Sequence, residues 1–441
     1  MRLRLTLTAS IGSAIEYYDF MIFGYFSQIL GEQFFPMSSS IAQNLYVTGI
    51  FAAGYLVRPI GSIIFGHIGD THGRSKSIFY TLSCGMIAIT WVVITPTYAQ
   101  VGPIASVLFI LARIIQGITT GGNVMGTITY VSEISPIKNR AFSLSTVWLG
   151  INRGMLFALI VSTLLSKYLS KEQLFSWGWR AGFGVGLISL ILVTIYTKQH
   201  MHETRHHIEL NKQEITQKSP FRILFSQHKL AIISGIGITS LAALLLTLLV
   251  FYLPIYLRYY KVPNNIETRI YLALILVFAF TIQLFGWIGD KVGVRKVLIL
   301  ACCLVILTAN YCYQGLINGN TFQIYASTII LGTTFAAVLA TVPALLVGMF
   351  PTRVRYSGVS IAYNTCCSIF SGLTPFIITL LQYHVHSNKN TVVILVVICT
   401  TISLLSTVFL NPENDYLWRK ELKWQNALDS QEFNSSQRID K

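Results

Sequence analysis

The sequence predicts an all-α polytopic membrane protein, with twelve transmembrane helices in two pseudo-symmetric six-helix bundles. Three observations predict it. Of 441 residues, 53% are hydrophobic and only 11% charged, where a soluble domain has about 25% charged. The apolar residues fall in twelve runs, each about 20 residues long, as a bilayer span requires. A polar, glycine-rich turn occurs twice: Gly66, Gly69, Asp70, Gly73 and Lys76 return at Gly286, Gly289, Asp290, Gly293 and Lys296, each 220 residues on. A signature repeated at half-chain spacing marks a duplicated membrane protein.

The first run, 11–31, follows a short basic start, Met1-Arg2-Leu3-Arg4. It carries Glu16 and Asp19 and lacks a small-x-small cleavage site, so it reads as a helix and not as a cleaved leader. Runs at 43–68, 78–97, 103–131, 143–167 and 180–197 complete a first bundle, 1–197. A polar linker, 198–229, leads to a second bundle, 230–411, with runs at 230–257, 268–289, 297–316, 322–350, 357–382 and 391–411. In the polar tail, 412–441, Tyr416, Trp418 and Trp424 suit a membrane interface, and no heptad is sustained.

The net charge of +15 raises nucleic acid as a partner, but the placement of the charges excludes it. With the N-terminus inside, 22 of the 32 Lys and Arg residues fall on one side of the membrane and 7 on the other. Arg58, Arg113 and Arg153 lie within runs. Such a bias places both termini and the linker in the cytoplasm and makes the lipid bilayer the partner. The seven cysteines form no C-x-x-C pair and read as small buried hydrophobes. His200, His202, His206 and His207 lack the spacing that would complete a metal site, so no metal or cofactor is expected.

In the repeated turn, Gly73 and Gly293 suit positive φ, and Gly66 and Gly69 admit a neighbouring helix. Asp70 either caps the next helix or pairs with a base across the turn. Arg74 and Lys76 mark the cytoplasmic side. At other span ends, Pro136 and Arg140 return at Pro351 and Arg355, while Gly348 stands where Glu133 would recur. Gly66, Asp70, Gly73, Arg74, Glu133, Arg140, Asp290, Arg295 and Arg355 are therefore candidates for a cytoplasmic gate.

Ionisable groups at membrane depth are costly and usually functional. Glu16 and Asp19 are three apart and share a helical face. Two nearby carboxylates in low dielectric do not both ionise easily. That suits a proton carrier; the alternative is a static salt bridge. Arg113 is a candidate partner for them or for a substrate anion, and Arg58, before the helix-bending Pro59, is another. Gly117 with Gly121, and Gly122 with Gly126, are small-x-x-x-small pairs for close helix packing.

The residues Glu16-Tyr17-Tyr18-Asp19-Phe20, Phe34-Phe35-Pro36, Arg58-Pro59-Ile60-Gly61, Gly66 to Lys76, Arg113 to Gly122 and Phe350 to Gly358 together resemble the metabolite:proton symporter branch of the major facilitator superfamily. The resemblance spans nearly the whole chain outside linker and tail. It implies the major facilitator fold, a central site between the bundles, alternating access, and uptake with a proton of solutes such as proline, betaine, citrate, 2-oxoglutarate, shikimate or dicarboxylates. The chain departs from the pattern at Asn123, where the family usually has Glu, at Tyr17, where Trp is usual, and at Ser13, where Asn is common.

The expected function is proton-coupled import of a small carboxylate-bearing metabolite across a bacterial inner membrane, by a monomer. Glu16 and Asp19, with Arg113, would carry the proton. Substrate would sit against Tyr17, Tyr18, Tyr25, Arg58, Asn123, Asn152, Arg153, Tyr363 and Asn364. Three arginines facing two carboxylates within the membrane favour a substrate bearing a carboxylate. The rivals are a proton-driven exporter on the same fold and a non-transporting sensor. An enzyme would need a metal cluster or a nucleophile–base set, and the sequence offers neither.

Overall fold

The computed structural model describes residues 2–36, 49–212, 219–253, 257, 262–384 and 391–409. The tail aromatics Tyr416, Trp418 and Trp424 lie outside these residues. Six long helices precede the linker: α1 (Arg2–Tyr25), α2 (Gly49–Thr71), α3 (Arg74–Ile94), α4 (Pro103–Ile134), α5 (Arg140–Tyr168) and α6 (Trp179–His200). Six follow it: α7 (Lys229–Tyr252), α8 (Asn264–Val292), α9 (Val294–Asn318), α10 (Thr321–Gly348), α11, which starts as Arg355–Cys366 and continues through Cys367–Gly372 into Leu373–His384, and α12 (Thr391–Val408). Among the described residues there is no strand.

Among the described residues, eleven of these twelve helices are long and apolar enough to cross a membrane. The exception is α1, whose 24 residues include Glu16 and Asp19; it nevertheless packs inside the first bundle against α5 and α6. It starts at Arg2 and ends at Tyr25, not at 11 and 31, and a separate short helix, Ser27–Phe34, follows.

Glycine sets how close the helices come. A Cβ on Gly154 would stand 1.9 Å from the Ala14 carbonyl oxygen of α1. Between α2 and α4, a Cβ on Gly61 would stand 1.8 Å from the Ile118 carbonyl oxygen, and one on Gly117 or Gly121 2.1 Å from that of Gly54 or Arg58. No larger residue fits such backbone contacts. The turns behave as expected, Gly73 having φ 118° and Gly293 φ 106°.

The duplicated turns each bring an end of one bundle against the other. Gly66 and Gly69 of α2 receive Ser357 and Tyr356 of α11, while Gly286 of α8 receives Ala141, Phe142 and Ser145 of α5. One contact is thus built twice, at the end of the molecule that also carries the start of the linker. We call this end the linker face.

Candidate functional site

At the linker face, each repeated aspartate caps a helix of the opposite bundle. Asp70 accepts the backbone N–H groups of Tyr356 and Ser357, at 3.1 and 2.9 Å, in the first turn of α11. Asp290 accepts those of Ala141 and Phe142, both at 2.9 Å, in the first turn of α5. A carboxylate there meets orphan donors and the positive end of the helix dipole. The sequence placed Asp70 on the next helix, or on a base across the turn. The second half holds, since Arg74 lies 3.4 Å away. The next helix, α3, is capped instead by Glu203 of the linker, which accepts from the backbone N–H groups of Arg74 and Ser75 at 2.9 and 3.2 Å.

Arg74, both a topology charge and a gate candidate, has its side chain fully buried. Arg74 and Arg355 both reach Glu133 at 3.2 Å, and all three side chains are out of solvent. Arg74 also donates to the Gly69 and Thr352 carbonyls and lies 3.0 Å from His207 Nδ1. Thr204 donates to Glu133 at 2.7 Å. Burial first, and then the Arg74 charge, hold the His207 imidazole below its ordinary value. The cluster has no twin: Val294 and Gly348 stand at the positions of Arg74 and Glu133. Arg140 is buried beside Asp290. Arg295 falls outside the cluster and donates to the Val408 carbonyl of α12 at 2.6 Å, because in the second turn the arginine stands one place later.

The acidic pair lies deeper, inside the first bundle. Glu16 and Asp19 line a cavity bounded by α1, α2, α3, α4 and α6. They share one face of α1, as their spacing predicts, and that face meets α4. Asn123 Nδ2 donates to Glu16 Oε2 at 2.6 Å, and Gln116 Nε2 donates to Asp19 Oδ2 at 2.6 Å. Residues 116 and 123 are seven apart, which is again one helical face. Arg113 is 3.9 Å from Asp19 and donates to Gln116 Oε1 at 2.5 Å, so Gln116 relays between them. Its guanidinium otherwise lies over the Phe23 ring at 3.6 Å. Asp19 Oδ1 is buried without a hydrogen-bond partner, and Glu16 has the Thr120 hydroxyl as a second neighbour.

The remaining candidates separate. Arg58, 2% exposed, lies 3.6 Å over the Tyr55 ring, and Tyr17 and Tyr363 are within its electrostatic reach. Tyr18 points the other way and donates to the Gly182 carbonyl of α6 at 2.7 Å, so it packs the first bundle. Tyr25 faces Tyr271 of α8. Asn152 lines a second hollow, between the bundles. Arg153 is exposed on the same side of α5 as Phe157, Ile160 and Leu164, away from both cavities. Asn364 donates to Ser62 Oγ and the Gly121 carbonyl at 2.9 and 2.8 Å, tying α11 to α2 and α4. It is a clamp between bundles, not a free ligand group.

Gln116, Tyr55, Glu203, Thr204 and His207 take part in these sites without being among the sequence candidates for them. Gln116 was legible, standing three residues after Arg113 on one face. The linker residues carried no signal, because their partners, Arg74 and Ser75 of α3 and Glu133 of α4, lie far away in the sequence.

The family model described as Major Facilitator Superfamily matches residues 9–375 and 270–436. The chain is 30% identical over 379 residues to a putative proline/betaine transporter of Staphylococcus haemolyticus, covering 85% of this chain and 80% of that protein. It is 29% identical over 403 residues to the proline/betaine transporter of Salmonella typhimurium, covering 88% and 79%. In structure it is similar to the proton:xylose symporter XylE bound to 6-bromo-6-deoxy-D-glucose, with TM-score 0.79, 17% identity, and 93% and 95% of the two chains covered. The chain is a multi-pass membrane transporter belonging to the major facilitator superfamily. Within it, the relatives place the chain in the proline/betaine transporter branch.

Proposed function

We propose that this protein is a proton-coupled importer of a small carboxylate-bearing metabolite, of the amino-acid, organic-acid or proline/betaine kind. It would work by alternating access as a monomer in a bacterial inner membrane, with the linker face and both termini cytoplasmic. The positive-inside bias of the sequence supports that orientation. The names of the relatives support the substrate class.

The observation that carries the reading is the bonding of the acidic pair. Glu16 is held by an amide, and Asp19 by an amide that also contacts Arg113. An amide donor stays bonded whether the carboxyl is charged or neutral, whereas a tight ion pair would fix the charged form. Asp19 also keeps one oxygen unbonded on the wall of a cavity, and Glu16 has there only the Thr120 hydroxyl, which can donate or accept. Both can take and release a proton without dismantling their supports. Protonation weakens the attraction of Arg113 for Asp19 and frees α1 to shift against α4.

Proteoliposomes loaded at neutral pH and diluted into acidic buffer test this. Uptake of at least one member of a panel of amino acids, betaines and organic acids should exceed that seen with the gradient collapsed. Equal uptake across the whole panel with and without the gradient overturns symport.

A further inference from the structure

Two groups of buried, unbonded polar atoms meet between the bundles. The first surrounds Arg58. Among the described residues it has no ion pair, its Nε has no hydrogen-bond partner, and the Tyr17 hydroxyl is buried without one; the Tyr55 hydroxyl neighbours Arg58 itself and Thr247, and that of Tyr363 neighbours only the weak Cys367 thiol. The second belongs to the hollow lined by Trp148, Asn152, Tyr271 and Phe278, where Trp148 Nε1 and Asn152 Oδ1 lack partners. The Trp148 and Tyr363 rings, 6.5 Å apart, join the two groups. The helices from the second bundle leave α-helical geometry here, α7 at Thr247–Tyr252 and α11 at Cys367–Gly372, both in π-helical turns. Such turns favour functional sites. Glu16 acts on Arg58 only from beyond ion-pair distance, and a buried guanidinium without a close counter-charge is costly, as is a buried hydroxyl without a good partner. Their convergence on one place suits an anion that brings several acceptor lone pairs.

We propose that the substrate's carboxylate binds Arg58 and the hydroxyls of Tyr17, Tyr55 and Tyr363, while its body reaches past Tyr363 into the Trp148–Asn152 hollow. This rests on the transporter reading and gives that reading a location. Glu16 and Asp19 then do not touch substrate: they lie in a separate cavity of the first bundle. Tyr17 follows Glu16 directly, so α1 carries the proton group on one face and a substrate group on the next. Asn152 sets selectivity in the hollow, since its Oδ1 accepts an N–H or O–H from the bound molecule. Among the described residues no charged side chain lines the hollow. The substrate's positive charge, where it has one, is balanced by its own carboxylate and by aromatic faces.

Calorimetric binding to the purified full chain tests the assignment. L-proline is compared with L-prolinamide, and each further carboxylate of the uptake panel with its own carboxamide. The wild type should prefer the carboxylate by about tenfold or more, as a charge-assisted contact to arginine implies. Arg58→Gln should bring that ratio close to one, and Arg58→Lys should keep part of it. Tyr363→Phe, which removes only a hydroxyl, should weaken carboxylate binding about threefold or more. This variant decides the matter if Arg58→Gln fails to fold. A wild-type ratio near one overturns the site, as does an unchanged ratio in Arg58→Gln. If uptake still responds to the proton gradient in those cases, symport stands and only the location falls. If the wild type binds no member of the panel, the carboxylate class and this site fall together.

Discussion

Asn123 donates its amide N–H to Glu16 at 2.6 Å, filling with a neutral group the place where an acid is usual in the family the chain resembles. The bond makes Glu16 the acid of its end of the cavity, with no second carboxylate at position 123 to share its proton. Glu16→Gln keeps the shape and an acceptor for Asn123 but cannot exchange a proton. Gradient-driven accumulation should be lost, while exchange of labelled for unlabelled substrate persists. Accumulation at wild-type levels in the Glu16→Gln, Asp19→Asn double variant ends the proton-carrier assignment.

Glu133 holds Arg74 and Arg355 in a site without solvent. Removing it takes away the anion that two buried cations share and leaves Asp70 as the remaining carboxylate of Arg74. Glu133→Gln should cost about 3–5 kcal/mol, the range for breaking a buried pair. A second change, Arg355→Gln, should restore part of that stability, because one stranded charge is gone. Thermal unfolding in detergent measures both, and a double variant less stable than the single one contradicts the argument.

Asp70 and Asp290 occupy equivalent places with unequal support. Asp70 is fully buried and paired with Arg74 on its own turn, whereas Asp290 is half-buried, with Arg140 of the opposite bundle beside it. Asp70→Asn should loosen the linker face more than Asp290→Asn, by about 1–2 kcal/mol, or roughly 5- to 30-fold in the open population. The readout is alkylation of a single cysteine placed at Ser145, which is fully buried when this face is closed. Equal rates in the two variants count against it.

The linker docks by a pH-sensitive contact. His207 lies against Arg74, with Glu203, Glu133 and Lys76 also acting on it. Its folded-state pKa is lowered, so the docked form favours the neutral ring. The stabilisation is fully present above the unfolded value of about 6.5 and is lost as pH falls through the lower, docked value. Hydrogen exchange in Arg205–Lys212 should therefore speed up, beyond its intrinsic pH dependence, as pH drops below about 6.5. His207→Gln should remove that extra response; if it persists in the variant, another group is responsible.

Much of the architecture was legible because its determinants are local or repeated. Apolar runs of bilayer length name the helices, and a turn written twice names the duplication. Gly73 and Gly293 disclose their backbone conformation, since positive φ is what glycine alone tolerates well. Of the charges within the runs, Glu16, Asp19, Arg58 and Arg113 point into the protein, as the cost of placing them in lipid requires, while Arg153 faces outward.

The sequence by itself thus determined the class of protein, the two halves and the residues too costly to be ornamental. The tertiary structure decided which of them meet. Neighbours on a helix point about 100° apart. Glu16 therefore enters the first bundle while Tyr17 turns towards Arg58, and Asn152 lines a hollow while Arg153 faces outward. Helix crossing decided that Asp70 caps α11 and that Asn364 clamps α2 and α4. Those contacts join residues hundreds of positions apart, and only the rotation and approach of whole helices bring them together.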